Sequence, residues 1–157
     1  MSAESDFVAR LKPFALMIQF ETGIKAIIPI TQAAHESRWG QSDLAVKANN
    51  LFGFTGESWA RAKKPVVYMK TREFVKGKWI TVERPFRAYD SWEGSVRDWA
   101  DVMHFPRYRQ ALMWAKEEHL GAWARAVYAA GYATDPNYPE KLIAIGRRVA
   151  PLLAPAV

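Results

Sequence analysis

Apolar residues recur at the three- and four-residue spacing of an amphipathic helix over much of the chain. The first such stretch ends at Gly23, and Pro13 inside it is placed to begin a new helix at its first turn. A second helix is predicted from about Pro29 to Gly40. The amino-terminal part of the chain therefore reads as helical.

The helical pattern continues after a short interruption. Ser42 is placed to cap a third helix, which ends before the Asn49-Asn50 pair. Asp90 and Glu93 resemble a capping box at the start of a later apolar stripe. The remaining helices are predicted over residues 92–103, 107–117, 120–130 and 137–150.

Residues 66–89 follow a different pattern. β-Branched and aromatic residues dominate this stretch, and Lys76-Gly77 separates two arms of alternating polarity. This arrangement predicts a β-hairpin. The chain is therefore expected to be mainly α, of the α+β class, with a single domain over residues 1–157 and a hairpin lobe at about residues 62–89.

Composition narrows the function classes. A chain of 157 residues can bury one substantial core, and its net charge of +6 favours anionic partners such as nucleic acid, an envelope polymer or a membrane surface. The absence of cysteine excludes disulfides and thiol nucleophiles, and the three histidines lack metal-ligand spacing. There is no basic recognition helix or aromatic RNA-binding motif, so no nucleic-acid partner is expected.

The amino-terminal residues carry acids where a secretory leader has basic residues, and no apolar run has the length of a signal core. No stretch approaches the length of a membrane span. We therefore expect no stable membrane insertion. We also expect a protein that stays in the cytoplasm until it is released or exported by another route.

One acid stands out on the second predicted helix. Glu36 lies in its last turn, beside an apolar face formed by residues such as Ala33. Partial burial there would raise the pKa of its carboxyl group toward the range that a general acid needs. Spacing alone favours the simpler interpretation, a solvated glutamate near a helix end.

Four motifs favour the catalytic interpretation of Glu36, because together they resemble the bacterial glucosaminidases of glycoside hydrolase family 73. The resemblance covers residues 15 to about 150, and the motifs follow the order found in the family. They are Gln32-Ala33-Ala34-x-Glu36-Ser37-x-Trp39-Gly40, Asn49-Asn50-Leu51-Phe52-Gly53-Phe54, Phe86-Arg87-x-Tyr89-x-Ser91 and Gly131-Tyr132-Ala133-Thr134-Asp135-Pro136-x-Tyr138-x-x-Lys141-Leu142.

The resemblance implies a lysozyme-like fold, in which a helical lobe and a small β-hairpin lobe flank a groove for peptidoglycan glycan strands. It implies cleavage of the β-1,4 bond on the reducing side of N-acetylglucosamine, with N-acetylmuramic acid on the other fragment. Glu36 matches the family's acid and would protonate the departing oxygen. No metal or cofactor is expected.

The resemblance also implies a second carboxylate in the hairpin lobe. Glu73 fits the family context in Thr71-Arg72-Glu73-Phe74, and Glu83 on the returning arm is the rival, since the register is not readable from sequence. The simpler interpretation of each is a solvated strand acid beside Arg72 or Arg84. Inversion with Glu73 as the base is the favoured mechanism, and assistance by the sugar's own acetamido group stays open.

The last motif, together with the aromatic residues, supplies candidates for the groove. Tyr132 could hydrogen-bond the N-acetyl group or the attacking water, which places it with the catalytic residues. Asp135 and the Asn-Asn-Leu-Phe-Gly segment also have structural explanations, as a cap or turn and as packing. The predicted substrate-binding residues are Asn50, Phe52, Trp39, Asp135 and Tyr138, and Trp59 and Trp79 are further candidates for stacking on sugar rings.

The size of the chain resembles that of a bacteriophage endolysin, a monomer that acts on the cell wall in the periplasm. A secretion-system effector or the excised catalytic part of a flagellar rod protein would look similar. The alternatives are a lytic transglycosylase and a non-catalytic wall-binding protein.

Overall fold

The computed structural model describes residues 2–154, apart from the side chain of Phe74. It contains eight α-helices, a 3₁₀ turn and one two-stranded antiparallel sheet in this part of the chain. The elements are α1 (Ala3–Thr22), α2 (Ile27–Ser37), α3 (Asp43–Ala48), α4 (Glu57–Arg61), β1 (Val66–Val75), β2 (Lys78–Arg87), α5 (Trp92–Met103), the 3₁₀ turn (Pro106–Tyr108), α6 (Arg109–Lys116), α7 (Leu120–Ala129) and α8 (Tyr138–Leu153). The predicted mainly helical architecture is confirmed.

The helices enclose one core. Its largest fully buried side chains include Trp99 of α5 and Trp123 of α7, and α2 packs against α8 within it. This arrangement brings two distant stretches of the sequence together, the carboxyl end of α2 and the amino end of α8. None of the helices among residues 2–154 has both the length and the apolar character needed to cross a bilayer.

Two local predictions are wrong. Pro13 does not begin a new helix, because α1 runs continuously from Ala3 to Thr22. The carbonyl that loses its partner to the proline belongs to Ala9, an exposed residue, so water can replace the missing hydrogen bond. Asp90 and Glu93 do not form a capping box, since α5 begins at Trp92 after Ser91 and has no side-chain cap.

The hairpin is confirmed where the sequence predicts it. Lys76 and Gly77 both have positive φ, 51° and 77°, as a two-residue hairpin turn with the twist of the strands requires. The base of the hairpin is fastened to α5 through Asp98, which accepts hydrogen bonds from Arg87 Nη1 at 2.9 Å and from the Tyr89 hydroxyl. Arg87 and Tyr89 of the Phe-Arg-x-Tyr motif therefore fix the hairpin lobe to the helical lobe.

Candidate active site

Glu36 lies in the last turn of α2, and its neighbours in the sequence motif explain how that turn is closed. Ser37 Oγ donates to the carbonyl of Ala33 at 2.6 Å and accepts from the amide of Gly40 at 2.8 Å. Arg38, Trp39 and Gly40 follow with φ of 50°, 57° and 79°. This left-handed run ends α2 abruptly, so Glu36 is held at the end of a buried helix.

Trp39 is carried away from Glu36 by the same run. Its ring packs edge-on against Phe7, with centroids 5.9 Å apart, and the guanidinium of Arg148 lies 5.3 Å from its centroid. It lines a separate depression beside Trp92. Trp39 is therefore not among the residues that line the cavity with Glu36, and its contact with substrate stays a prediction.

A cavity of about 350 Å³ opens beside Glu36. Aromatic side chains form much of its wall, and two arginines contribute the charge. The lining includes Glu36, Phe52, Phe54, Arg87, Arg107 and Tyr132. An acid, flat apolar faces and cationic groups thus converge on one concave surface, which is the usual composition of a small-molecule or oligosaccharide site.

Burial and one hydrogen bond shift the pKa of the Glu36 carboxyl group in opposite directions. Burial raises its pKa above the ordinary glutamate value, and a hydrogen bond from Tyr138, whose hydroxyl donates to Oε1 at 2.7 Å, opposes part of that rise. Glu36 takes part in none of the ion pairs among residues 2–154. Desolvation therefore decides the direction, as it does for a general acid in an apolar pocket.

The ring of Tyr138, whose hydroxyl binds this carboxyl group, stacks on the ring of Tyr132, with centroids 6.2 Å apart and planes 18° from parallel. Tyr132 lines the cavity and donates a long hydrogen bond, 3.4 Å, to the carbonyl of Phe52. Burial raises the pKa of Tyr132 well above its usual value, so the phenol stays protonated near neutrality. The structure thus brings Tyr132 to Glu36, as the sequence predicts.

Tyr138 supports the carboxyl group from within the protein. It is only 2% exposed, its hydroxyl contacts Glu36 and Gln32, and it is not among the residues that line the cavity. Asp135 is also outside the cavity lining. Its carboxylate accepts from the amide of Asn137 at 2.9 Å and pairs with Lys141 at 2.5 Å, which confirms the alternative of a turn residue.

Asn50 has a structural role, and it is not among the residues that line the cavity. It is 1% exposed, and its Oδ1 accepts from the amides of Phe52, Gly53 and Phe54. Its Nδ2 donates to the carbonyls of Phe54 and Arg87 at 3.0 and 2.9 Å. These five bonds hold the loop that forms one wall of the cavity, and Phe52 on that loop lines the cavity as predicted.

The hairpin register separates the two candidate second carboxylates. Glu73 pairs with Ile80, and Glu83 pairs with Lys70, so the two acids project from opposite faces of the sheet. Glu73 binds Arg84 at 3.0 Å, and Arg84 also binds Glu57 of α4 at 2.6 Å. Glu83 is exposed. Neither acid is among the residues that line the cavity around Glu36.

The other candidate tryptophans also lie outside this lining. Trp59 of α4 packs edge-on against Tyr89 with centroids 5.3 Å apart, and it borders a second depression. Trp79 is 62% exposed on β2, with the guanidinium of Arg72 5.5 Å from its ring centroid. Their stacking on sugar rings stays a prediction.

Sequence reasoning missed the polar residues that support the site. Arg87 and Arg107 line the cavity, and Gln32 is fully buried behind Tyr138, donating to its hydroxyl at 2.9 Å. Gln32 and Arg87 both stand in the quoted motifs. The sequence offers one signal for Gln32, which is a polar residue on the apolar face of a predicted helix.

Comparison with known proteins agrees with this geometry. The family model described as mannosyl-glycoprotein endo-β-N-acetylglucosaminidase, the glucosaminidase family, matches residues 12–150. Exo-glucosaminidase LytG of Bacillus subtilis is 35% identical over 147 residues, which is 88% of this chain and 49% of that protein. Autolysin of Enterococcus faecalis is 34% identical over 148 residues, which is 88% of this chain and 19% of that protein.

A solved structure shows the same fold. The crystal structure of a mutant peptidoglycan hydrolase from Sphingomonas sp. A1 has a TM-score of 0.78 at 32% identity, covering 95% of this chain and 97% of that one. The chain spans less than half of the length of the two curated relatives named above. Since the family model covers nearly the whole sequence, the chain belongs to the glucosaminidase family, glycoside hydrolase family 73.

Proposed function

We propose that this chain hydrolyses peptidoglycan at the β-1,4 bond on the reducing side of N-acetylglucosamine, with Glu36 as the general acid. The observation that carries the proposal is a carboxyl group with a raised pKa at the wall of an aromatic-lined cavity. Family membership supports the same chemistry, and so do relatives whose names include exo-glucosaminidase and peptidoglycan hydrolase.

The acid step needs a proton at the glycosidic oxygen when the bond to the anomeric carbon breaks. Glu36 supplies it, because burial keeps its carboxyl group protonated at a higher pH than an exposed glutamate. The Tyr138 hydroxyl then stabilises the carboxylate that remains, through its hydrogen bond to Oε1. Tyr132 lines the same wall and offers a phenolic donor to the acetamido group or to the attacking water.

Glu73 is the proposed second carboxylate, acting as a base on water with inversion at the anomeric carbon. Its ion pair with Arg84, and the contact of Arg84 with Glu57, hold it in a defined position on the hairpin. Attack by the sugar's acetamido oxygen is the alternative, in which no protein base is needed. Comparing Glu73→Gln with Glu83→Gln separates these two mechanisms. If Glu73 is the base, only Glu73→Gln should abolish activity, whereas with acetamido attack neither variant removes a base.

The charge of the cavity favours an anionic glycan over a neutral one. Arg87 is paired with Asp98 at 2.9 Å, whereas Arg107 forms no ion pair within the described part of the chain and contacts the Tyr108 hydroxyl at 2.6 Å. Peptidoglycan carries carboxylates on its stem peptides, so Arg107 has a partner there. The net charge of +6 adds a general attraction to the wall.

We further propose that the protein acts as a monomer on the bacterial wall, in the role of a phage endolysin, without stable membrane insertion and without a nucleic-acid partner. The positive charge, which attracts anionic polymers, supports action at the wall. A secretion-system effector or a flagellar wall hydrolase would use the same site. Lysis of outer-membrane-permeabilised Gram-negative cells tests the wall activity.

Product analysis tests the bond that is cut. Purified sacculi are digested, the products are reduced with borohydride, and the new ends are identified by mass spectrometry. Reducing N-acetylglucosamine ends are expected, and Glu36→Gln should lower their release by about 100-fold or more. Mainly 1,6-anhydromuramic ends would identify a lytic transglycosylase, reducing muramic ends would identify a muramidase, and binding without release of fragments would identify a wall-binding protein.

A further inference from the structure

A chain of four side chains runs from the core to the catalytic carboxyl group. Trp99 Nε1 donates to Gln32 Oε1 at 2.6 Å, Gln32 Nε2 donates to the Tyr138 hydroxyl at 2.9 Å, and that hydroxyl donates to Glu36 Oε1 at 2.7 Å. Trp99 and Gln32 are fully buried, so water does not compete for these bonds. The first link joins α5 to α2 across 67 positions of sequence.

The indole of Trp99 fixes the direction of every hydrogen bond in this series. An indole N–H is a donor only, so the amide of Gln32 must turn its oxygen toward Trp99 and its nitrogen toward Tyr138. The Tyr138 oxygen then accepts a hydrogen bond from Gln32, and its single proton is left for Glu36. With the amide reversed, two donors would face each other at Trp99, and the Gln32 oxygen would compete for the Tyr138 proton.

This order determines which oxygen of Glu36 carries the acidic proton. Oε1 accepts the Tyr138 hydrogen, so a proton placed on Oε1 would have to compete with that hydrogen bond. The proton is therefore directed to Oε2. A Cβ atom added at Gly53 would lie 3.9 Å from Oε2, and Gly53 lines the cavity, so Oε2 is the oxygen on the cavity side.

We propose that Gln32 and Trp99 are positioning residues for the reaction: they orient the Tyr138 hydroxyl so that Glu36 presents its proton to the glycosidic oxygen from Oε2. This inference rests on the proposed role of Glu36 as the general acid. It assigns a function to a buried amide that would otherwise only fill space in an apolar core. It also explains why the donor-only side chain of a tryptophan stands behind that amide.

Four single variants test the proposal. Trp99→Phe removes one donor and keeps an aromatic ring, Gln32→Met removes the amide at similar length, and Tyr138→Phe removes the hydroxyl. Thr31→Val is the matched control, because Thr31 is fully buried on the same helix and its hydroxyl has no hydrogen-bond partner among the described residues. The readouts are kcat and KM against pH on a soluble chitooligosaccharide and on sacculi, with Tm measured in parallel.

The first three variants should lower kcat by about threefold to tenfold, the size of an ordinary hydrogen bond, with KM unchanged. They should also move the basic limb of the kcat/KM profile to higher pH. The direction follows because the Tyr138 hydrogen bond favours the charged carboxylate, so losing it raises the pKa of Glu36. Thr31→Val should leave both quantities unchanged.

Double variants show whether Trp99 and Gln32 act through Tyr138. In a Tyr138→Phe background, Trp99→Phe and Gln32→Met should have no further effect on the basic limb. Full additive effects there, or a Trp99→Phe enzyme with the wild-type kcat and pH profile, would overturn the proposal. Retained activity in Glu36→Gln would instead overturn the proposed function, whereas an inactive Glu36→Gln with wild-type Trp99→Phe would overturn this inference alone.

Discussion

Replacing Asn50 by aspartate tests how the cavity wall is held. The substitution keeps the shape of the side chain and the oxygen that accepts from three backbone amides. It replaces Nδ2 by an oxygen, which then faces the carbonyls of Phe54 and Arg87 where the amide donates at 3.0 and 2.9 Å. Two donor bonds are lost in a residue that is 1% exposed.

The expected cost follows from these two bonds. A buried polar group left without its partner costs about 1–3 kcal/mol. The carbonyl of Phe54 also accepts from the Arg87 amide at 3.1 Å, so losing the Asn50 donor there should cost an amount near the lower end of this range. We therefore expect Asn50→Asp to lower the free energy of unfolding by about 2–4 kcal/mol, or to lower Tm by about 5–15 °C for a chain of this length.

The assay is thermal and denaturant unfolding at neutral pH, with Asn49→Asp as the matched control. Asn49 donates a single side-chain bond, to the carbonyl of Tyr89 at 2.9 Å, and it is only half-buried. Its φ of 53° suits aspartate as well as asparagine. The control should lose about 0.5–1.5 kcal/mol. If Asn50→Asp loses no more stability than Asn49→Asp, the five-bond account of this loop is refuted.

The other predictions concern charge and packing around the site. Glu36→Gln should raise Tm at pH 7–8 and leave it unchanged near pH 4. The reason is that a carboxyl group with a raised pKa destabilises the folded state only at pH values where it is ionised. Measuring the Tm of both proteins against pH tests this direction. An equal gain at both values would contradict it. Arg107→Ala should raise KM several-fold on sacculi but not on neutral chitooligosaccharides, with the exposed Arg109→Ala as control, and equal effects on both substrates would remove the proposed anion contact. Gly56→Ala should cost about 1–3 kcal/mol of unfolding free energy in urea titrations, since a Cβ would lie 2.9 Å from Val66 Cγ1 and 3.0 Å from the Arg87 amide, and a wild-type midpoint would argue against this close approach.

Much of the fold follows from local signals in the sequence. Helical spacing predicts α1 and α2, and it places Glu36 in the last turn of α2. Ser42 caps α3 with its hydroxyl accepting from the Ala45 amide at 3.2 Å, as predicted. Lys76-Gly77 marks the hairpin turn. The short helix α4 was missed, because five residues are too few to show a period.

The roles of motif residues are harder to read, because a motif does not reveal what each polar atom binds. Asn50 and Tyr138 both direct their polar groups to other parts of the protein, and Trp39 is turned away by local backbone conformation. The opposite faces of Glu73 and Glu83 depend on strand register, which a one-residue slip would reverse. The bond between Gln32 and Trp99 joins positions too distant for any local pattern.

The state of the Glu36 carboxyl group tests the account most directly. In protein labelled with ¹³C at the glutamate carboxyl carbons, the resonance missing from Glu36→Gln can be followed against pH. We predict that it titrates above the ordinary glutamate range, and that its midpoint coincides with the fall of kcat/KM on the basic side. A Glu36 resonance that titrates with the exposed glutamates, or a basic limb unrelated to it, would contradict the account.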